Sequence, residues 1–142
     1  MSRRLMLRNE SAMAALVPGT YRGEIAGSTS IVDANGAISG EKICYYVTIP
    51  FSRTIPYSAG DVIKLAQDRH YTSLKNFRTV KLNGSKSIAI VNNKNVGNYA
   101  AFTYTATKNG YFNAIRFENS TGPQSDTVKP LIYINDELVL GG

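Results

Sequence analysis

Cys44 and His70 are the only cysteine and the only histidine in this chain of 142 residues. They form the one pair that could serve as thiol nucleophile and imidazole base. That chemistry needs a fold that brings them together and a third group that orients the ring. Cys44 lies inside an alternating apolar run, where a cysteine packs as a small hydrophobe, so no catalytic dyad is expected. Glycoside hydrolysis needs two carboxyl groups facing each other, roughly 5–10 Å apart. Asp and Glu number ten, but Asp33, Asp61 and Asp136 stand in turn contexts, where Asp accepts from nearby backbone N–H groups. Asp33-Ala34-Asn35-Gly36 and Asp126 carry oxygens of the kind calcium takes, without the spacing of an EF-hand loop. One His and one Cys exclude a multi-His zinc site, a multi-Cys metal site and a disulfide framework. No phosphate-cradling glycine loop, nucleophile elbow or dinucleotide fingerprint appears. No catalytic residue, metal or cofactor is expected, and no enzymatic activity.

Binding is better supplied. Saccharides are held by aromatic faces beside planar polar groups, and Tyr46, Tyr57, Tyr71, Tyr99, Asn92, Asn95 and Arg116 are the candidates. The competing use of the same tyrosines is to complete a core with only their hydroxyls wet. The net charge of +6 is concentrated between residues 62 and 94, where Lys64, Arg69, Lys75, Arg78, Lys81, Lys86 and Lys94 face Asp68 alone. Such a stretch suits an anionic partner, or it is a solvated face that keeps the protein soluble. Nucleic-acid binding is not favoured, because most aromatics fall at the spacing of strand cores rather than of stacking platforms.

The elements that must position these groups are strands. Nine Tyr, five Phe and abundant Thr, Ile and Val suit pleated sheets, and twelve Gly with many Asn suit tight turns. Ile43, Tyr45, Val47 and Ile49 alternate with Cys44, Tyr46 and Thr48, and Pro50 ends that strand or bends it. Residues 52–56 form a short extended piece, 57–61 a turn and 62–66 a strand. Residues 78–82 and 87–91 flank Asn83-Gly84 as a hairpin. In the strand after Asn109-Gly110, Tyr111, Asn113, Ile115 and Phe117 oppose Phe112, Ala114, Arg116 and Glu118. Two last strands close around Asn135-Asp136. Asn35-Gly36, Asn83-Gly84 and Asn109-Gly110 each mark a reversal, since both residue types tolerate positive φ. About eight short strands with turns every 8–12 residues predict an all-β, two-sheet antiparallel β-sandwich, jelly-roll-like, in a single domain over 18–142. No apolar run is long enough to cross a bilayer as a helix.

The first residues read Ser2-Arg3-Arg4-Leu5-Met6-Leu7-Arg8, which looks like a twin-arginine export signal. Arg8, Asn9, Glu10 and Ser11 interrupt the apolar stretch that such a signal requires. Residues 1–17 read instead as an arm or anchor. Arg3, Arg4, Leu5, Met6, Leu7 and Arg8 are its docking residues, and Asn9 or Ser11 caps a short helix over 12–17.

The stretch from Tyr45 to Asn119 resembles the jelly-roll, carbohydrate-binding-like modules in tail-fibre and baseplate proteins of phages and prophages of Gram-positive bacteria. Ile49–Asp61 (IPFSRTIPYSAGD), Ser87–Asn98 (SIAIVNNKNVGN) and Phe102–Glu118 (FTYTATKNGYFNAIRFE) carry the likeness. Where the family usually has Pro before the last strand, this chain has Lys108-Asn109-Gly110. The resemblance implies a non-enzymatic virion component, a fibre, tail-tip or decoration subunit. It also implies a partly buried Arg116 and other virion proteins as partners. Homo-oligomers, trimers first, and a host cell-wall glycan complete the expected partner set. A stand-alone carbohydrate-binding module or lectin is the alternative, and a small hydrolase acting on such polymers is a third.

Overall fold

The computed structural model describes residues 13–67, 79–92, 102–119, 122–125 and 129–141. The strands run β1 (Arg22–Gly23), β2 (Ala26–Val32), β3 (Ile38–Tyr57), β4 (Val62–Gln67), β5 (Thr79–Gly84), β6 (Ser87–Asn92), β7 (Phe102–Thr105), β8 (Gly110–Asn119), β9 (Gln124–Ser125), β10 (Pro130–Ile134) and β11 (Glu137–Leu140). A five-stranded sheet in the order β2-β3-β8-β5-β6 faces a four-stranded sheet in the order β11-β10-β4-β7, and β1 and β9 form a separate pair. Every strand pairing is antiparallel. The expected two-sheet β-sandwich is therefore present.

Register turns sequence alternation into two faces. Across β3, β8 and β5 the rows Val47–Phe117–Val80 and Ile49–Ile115–Leu82 lie side by side. In the opposing sheet Ile132 pairs with Leu65 and Ile134 with Ile63. All ten side chains are buried in one apolar cluster. Burying a single Val, Leu or Ile is worth about 1.5–3 kcal/mol, so these rows are the main stabilising element of the sandwich.

The intervening rows are Thr48–Arg116–Lys81 and Tyr46–Glu118–Thr79, on the far face of the five-stranded sheet. That face is not open to water. Lys81 and Glu118 are 2% and 1% exposed. The sheet curls: Ala89 in β6 donates its N–H to the Asp33 carbonyl just past β2, at the opposite edge (3.1 Å). Inside the curl Lys81 Nζ lies 2.8 Å from Glu118 Oε2 and also donates to Thr29 Oγ1 and the Ser30 carbonyl. Thr29 Oγ1 donates to the same carboxylate oxygen (2.9 Å). Lys42 Nζ is 3.1 Å from Oε1, an oxygen with no well-directed hydrogen bond of its own. Arg116 is half-buried, as the resemblance implied; it donates to Thr48 and Thr29 and lies 4.5 Å over the Tyr46 ring. Three cations thus surround one carboxylate. Lys81 is no part of a solvated basic face, because a curl made by remote strands encloses it.

Several expectations need correction. Of the two readings at Pro50, an end to the strand and a bend in it, the first fails, because β3 continues past it. It runs for 20 residues, and its pairing with β8 jumps from Pro50↔Ala114 to Ile55↔Phe112. The residues released from that ladder pair elsewhere: Leu16 bridges Phe51, Val17 N–H donates to Pro50 O, and Ser52 N–H to Ala15 O. Ala14 bridges Leu140 of the other sheet. Residues 14–17 are therefore extended, not helical, and they join the two sheets instead of forming an arm. The same jump changes the parity of β8, so Phe112 enters the core with Ile115 and Phe117 although the alternation placed it opposite them. The remaining arm residues Arg3, Arg4, Leu5, Met6, Leu7 and Arg8 lie outside the described residues.

Candidate functional site

The loops at one end of the sandwich converge, and all three Asn-Gly pairs sit there. The β2–β3 loop is built on Asp33, whose Oδ1 accepts from the N–H groups of Asn35 (2.8 Å) and Ala37 (3.0 Å). Those donors hold the Asp33 carboxyl below its usual range, Ala37 foremost and then Asn35. Gly36 closes this loop at φ +81°, a conformation that side chains resist. Beside it the β5–β6 hairpin turns at Ser85 and Lys86, with Gly84 N–H bonded to Lys86 O. Neither Asn83 nor Gly84 has positive φ, so the expected Asn-Gly turn forms two residues later. Gly84 is needed for space instead: a Cβ there would coincide with the Tyr111 carbonyl. Ser85 N–H donates to that carbonyl and Ser85 Oγ accepts from Tyr111 N–H. Gly110 likewise leaves room for the Tyr57 and Ser85 hydroxyls, which a Cβ would meet.

These loops enclose a cleft of about 180 Å³. Asn35, Ser85, Thr107 and Asn109 contribute amides and hydroxyls, Lys86 and Lys108 ammonium groups, and Tyr57, Tyr104 and Ile88 the aromatic and apolar wall. Long hydrogen bonds from Tyr104 Oη (3.5 Å) and Thr107 Oγ1 (3.4 Å) reach Asn35 Oδ1. Asn109 Oδ1 accepts from Ala59 N–H (3.0 Å), tying in the turn after β3. The cleft is smaller than the roughly 300–1,000 Å³ of sites for drug-sized ligands, so it suits a single ring or a short polyol. Among the described residues its lining has donors and acceptors but no carboxylate, imidazole or thiol.

Of the residues expected to hold saccharide, the structure brings only Tyr57 to this cleft. Its role differs from the expected one. The ring is buried and stacks on Phe112 (centroids 4.6 Å apart, planes at 25°), so it offers no free face. Tyr46 is on the far face of the five-stranded sheet, with Arg116 over its ring. Asn92 ends β6 opposite Thr79. Tyr71, Asn95 and Tyr99 lie outside the described residues, as does His70. Cys44 is 2% exposed and burial pushes its thiol up, the opposite of what a nucleophile needs. Asp33, the calcium candidate, spends Oδ1 on its own loop, and the described residues hold no cluster of three metal-ligating side chains. The cleft residues missed by the sequence reading had one usable signal, the recurrence of Asn-Gly at three reversals. What was missing is that the three reversals share an end.

The class these observations define is an antiparallel β-sandwich with a small polar cleft at one end. Compared with protein-family models, with curated proteins and with solved structures, the chain matches none.

Proposed function

We propose that this protein is a non-enzymatic surface component of a phage virion, a fibre, tail-tip or decoration subunit, and that it contacts host cell-surface glycan through the cleft at the Asn-Gly end. The observation that carries the reading is the chemistry of the lining: side-chain amides, hydroxyls and two tyrosines converge on one small cleft. Such groups pair with sugar hydroxyls. The likeness of residues 45–119 to phage tail modules supplies the virion setting. Assembly is supported by large apolar side chains left in water: Ile25, just ahead of β2, is 85% exposed, and Ile38 and Ile43 of β3 are 69% and 67% exposed. Covering them with a partner would take that apolar surface out of water. Light scattering of the purified chain, with a pull-down on host cell-wall polysaccharide, tests the proposal. A multimer, trimeric by preference, that retains polysaccharide is expected. A monomer that retains it is a stand-alone carbohydrate-binding module, and a monomer that retains nothing overturns the reading.

A further inference from the structure

Resting on that binding reading, we infer that the cleft selects polyhydroxylated ligands carrying an anionic group, phosphate or carboxylate, over neutral saccharides, with Lys86 and Lys108 as the discriminating contacts.

The argument starts from charge. Among the described residues two ammonium groups line the cleft and no carboxylate does. Ion pairs between described residues include Arg22–Glu24, Lys42–Glu118 and Lys81–Glu118, and Lys64 lies over the Tyr133 ring. Lys42 and Lys81 are engaged by Glu118, whereas Lys86 and Lys108 make no ion pair among the described residues. Asp33, which is not among the lining residues, attracts Lys86. Its Oδ1 is already held by the Asn35 and Ala37 N–H groups.

Placement adds to charge. The Lys86 stem lies along Gly36, where a Cβ would come within 2.9 Å of Lys86 Cδ. A stem seated in a groove loses less rotamer freedom when its head binds than one in open water. Lys108 and Asn109 immediately precede β8, on the other wall. A neutral polyol would satisfy the hydroxyls and amides between the walls and leave both ammonium groups to water. An anion among them gains charge-assisted hydrogen bonds, about twice as strong as neutral ones. Phosphate and carboxylate share this chemistry, so both belong in the test.

The experiment is an NMR titration of the isotope-labelled full chain with glycerol 3-phosphate, galacturonate, glycerol and galactose. Each anion is expected to bind about tenfold more tightly than its neutral counterpart, shifting the amides of Asn35, Ser85 and Asn109. The double variant Lys86→Gln/Lys108→Gln should reduce the anions to the neutral level while its unfolding midpoint stays at the parent value. Equal binding of anionic and neutral forms overturns the anion preference and leaves the saccharide reading standing. Anion binding that survives the double variant overturns the assignment of the two lysines. No shift with any of the four ligands overturns the cleft as the binding site, and this inference with it.

Discussion

Replacing Glu118 with Ala should be far more damaging than replacing Lys81 with Met, although the two form one ion pair. In the native protein the Glu118 carboxylate is the single anion among Lys81 (2.8 Å), Lys42 (3.1 Å) and Arg116, which shares the Thr29 hydroxyl with it. Glu118→Ala leaves Lys81, 2% exposed, with only the neutral acceptors Thr29 Oγ1 and Ser30 O. Removing one partner from a buried pair costs about 3–5 kcal/mol, a large part of the roughly 5–15 kcal/mol that holds a domain. Lys81→Met keeps Lys42 and the Thr29 hydroxyl on the carboxylate, so its cost should be nearer 1–3 kcal/mol, roughly that of a lost buried hydrogen bond. The double variant Lys81→Met/Glu118→Leu removes both charges and fills the space with apolar atoms, which is often neutral or stabilising. Lys42, with 23% of its side chain exposed, can turn its head outward. Urea unfolding measures all three. With a slope of about 2 kcal/mol per molar, Glu118→Ala should lower the midpoint by about 2 M, and the double variant should recover most of that. A Glu118→Ala midpoint within about 0.5 M of the parent, or a double variant no better than Glu118→Ala, would refute the account of an anion enclosed by the sheet.

Two glycines separate space from conformation. Gly84→Ala pushes a methyl into the Tyr111 carbonyl and should cost about 1–3 kcal/mol or prevent folding. Gly60→Ala meets nothing within 4 Å but sits at φ +91°, so only backbone strain of about 1–2 kcal/mol is expected; in thermal unfolding, a Gly84→Ala midpoint equal to the parent's would count against the space argument, and a Gly60→Ala midpoint equal to the parent's against the strain. Asp33 predicts a pH effect of definite sign. Its folded pKa is depressed, so its contribution is present above the ordinary aspartate value of about 3.8 that the unfolded chain has. That contribution disappears as pH falls through the lower folded value. Asp33→Asn should therefore be less stable than the parent at neutral pH and converge with it at the acid end; a gap that stays constant to low pH would contradict the loop geometry.

The local pattern of the chain determined a good deal. Alternation at Val47 and Ile49, and at Ile115 and Phe117, identified the core rows, because side chains in a strand change face at every residue whatever the partner. Asn135 and Asp136 turn with positive φ (51° and 66°) as their types suggest. The burial of Cys44 was expected too, but not its place: it shares a face with Tyr46 and Thr48 inside the curl, not with Val47 and Ile49 in the core. The fate of the opposite rows was not legible. Alternation put Thr48, Arg116 and Glu118 opposite the core rows, and nothing local showed what would cover them. They are enclosed because β5, β6 and β2, distant in sequence, curl the sheet until Ala89 meets Asp33. Residues 14–17 read as a helix because their composition allows one. They are extended because the register jump after Pro50 leaves backbone groups of β3 for them to pair with. The cleft belongs to the same category. Asn35, Ser85 and Asn109 were visible as turn residues, but a turn's sequence fixes only its own bend. Which bends share an end depends on strand order, set by pairings such as β3 with β8 between residues some sixty positions apart. Alternation is a property of neighbours in sequence, whereas a cleft or an enclosed charge is a property of neighbours in space.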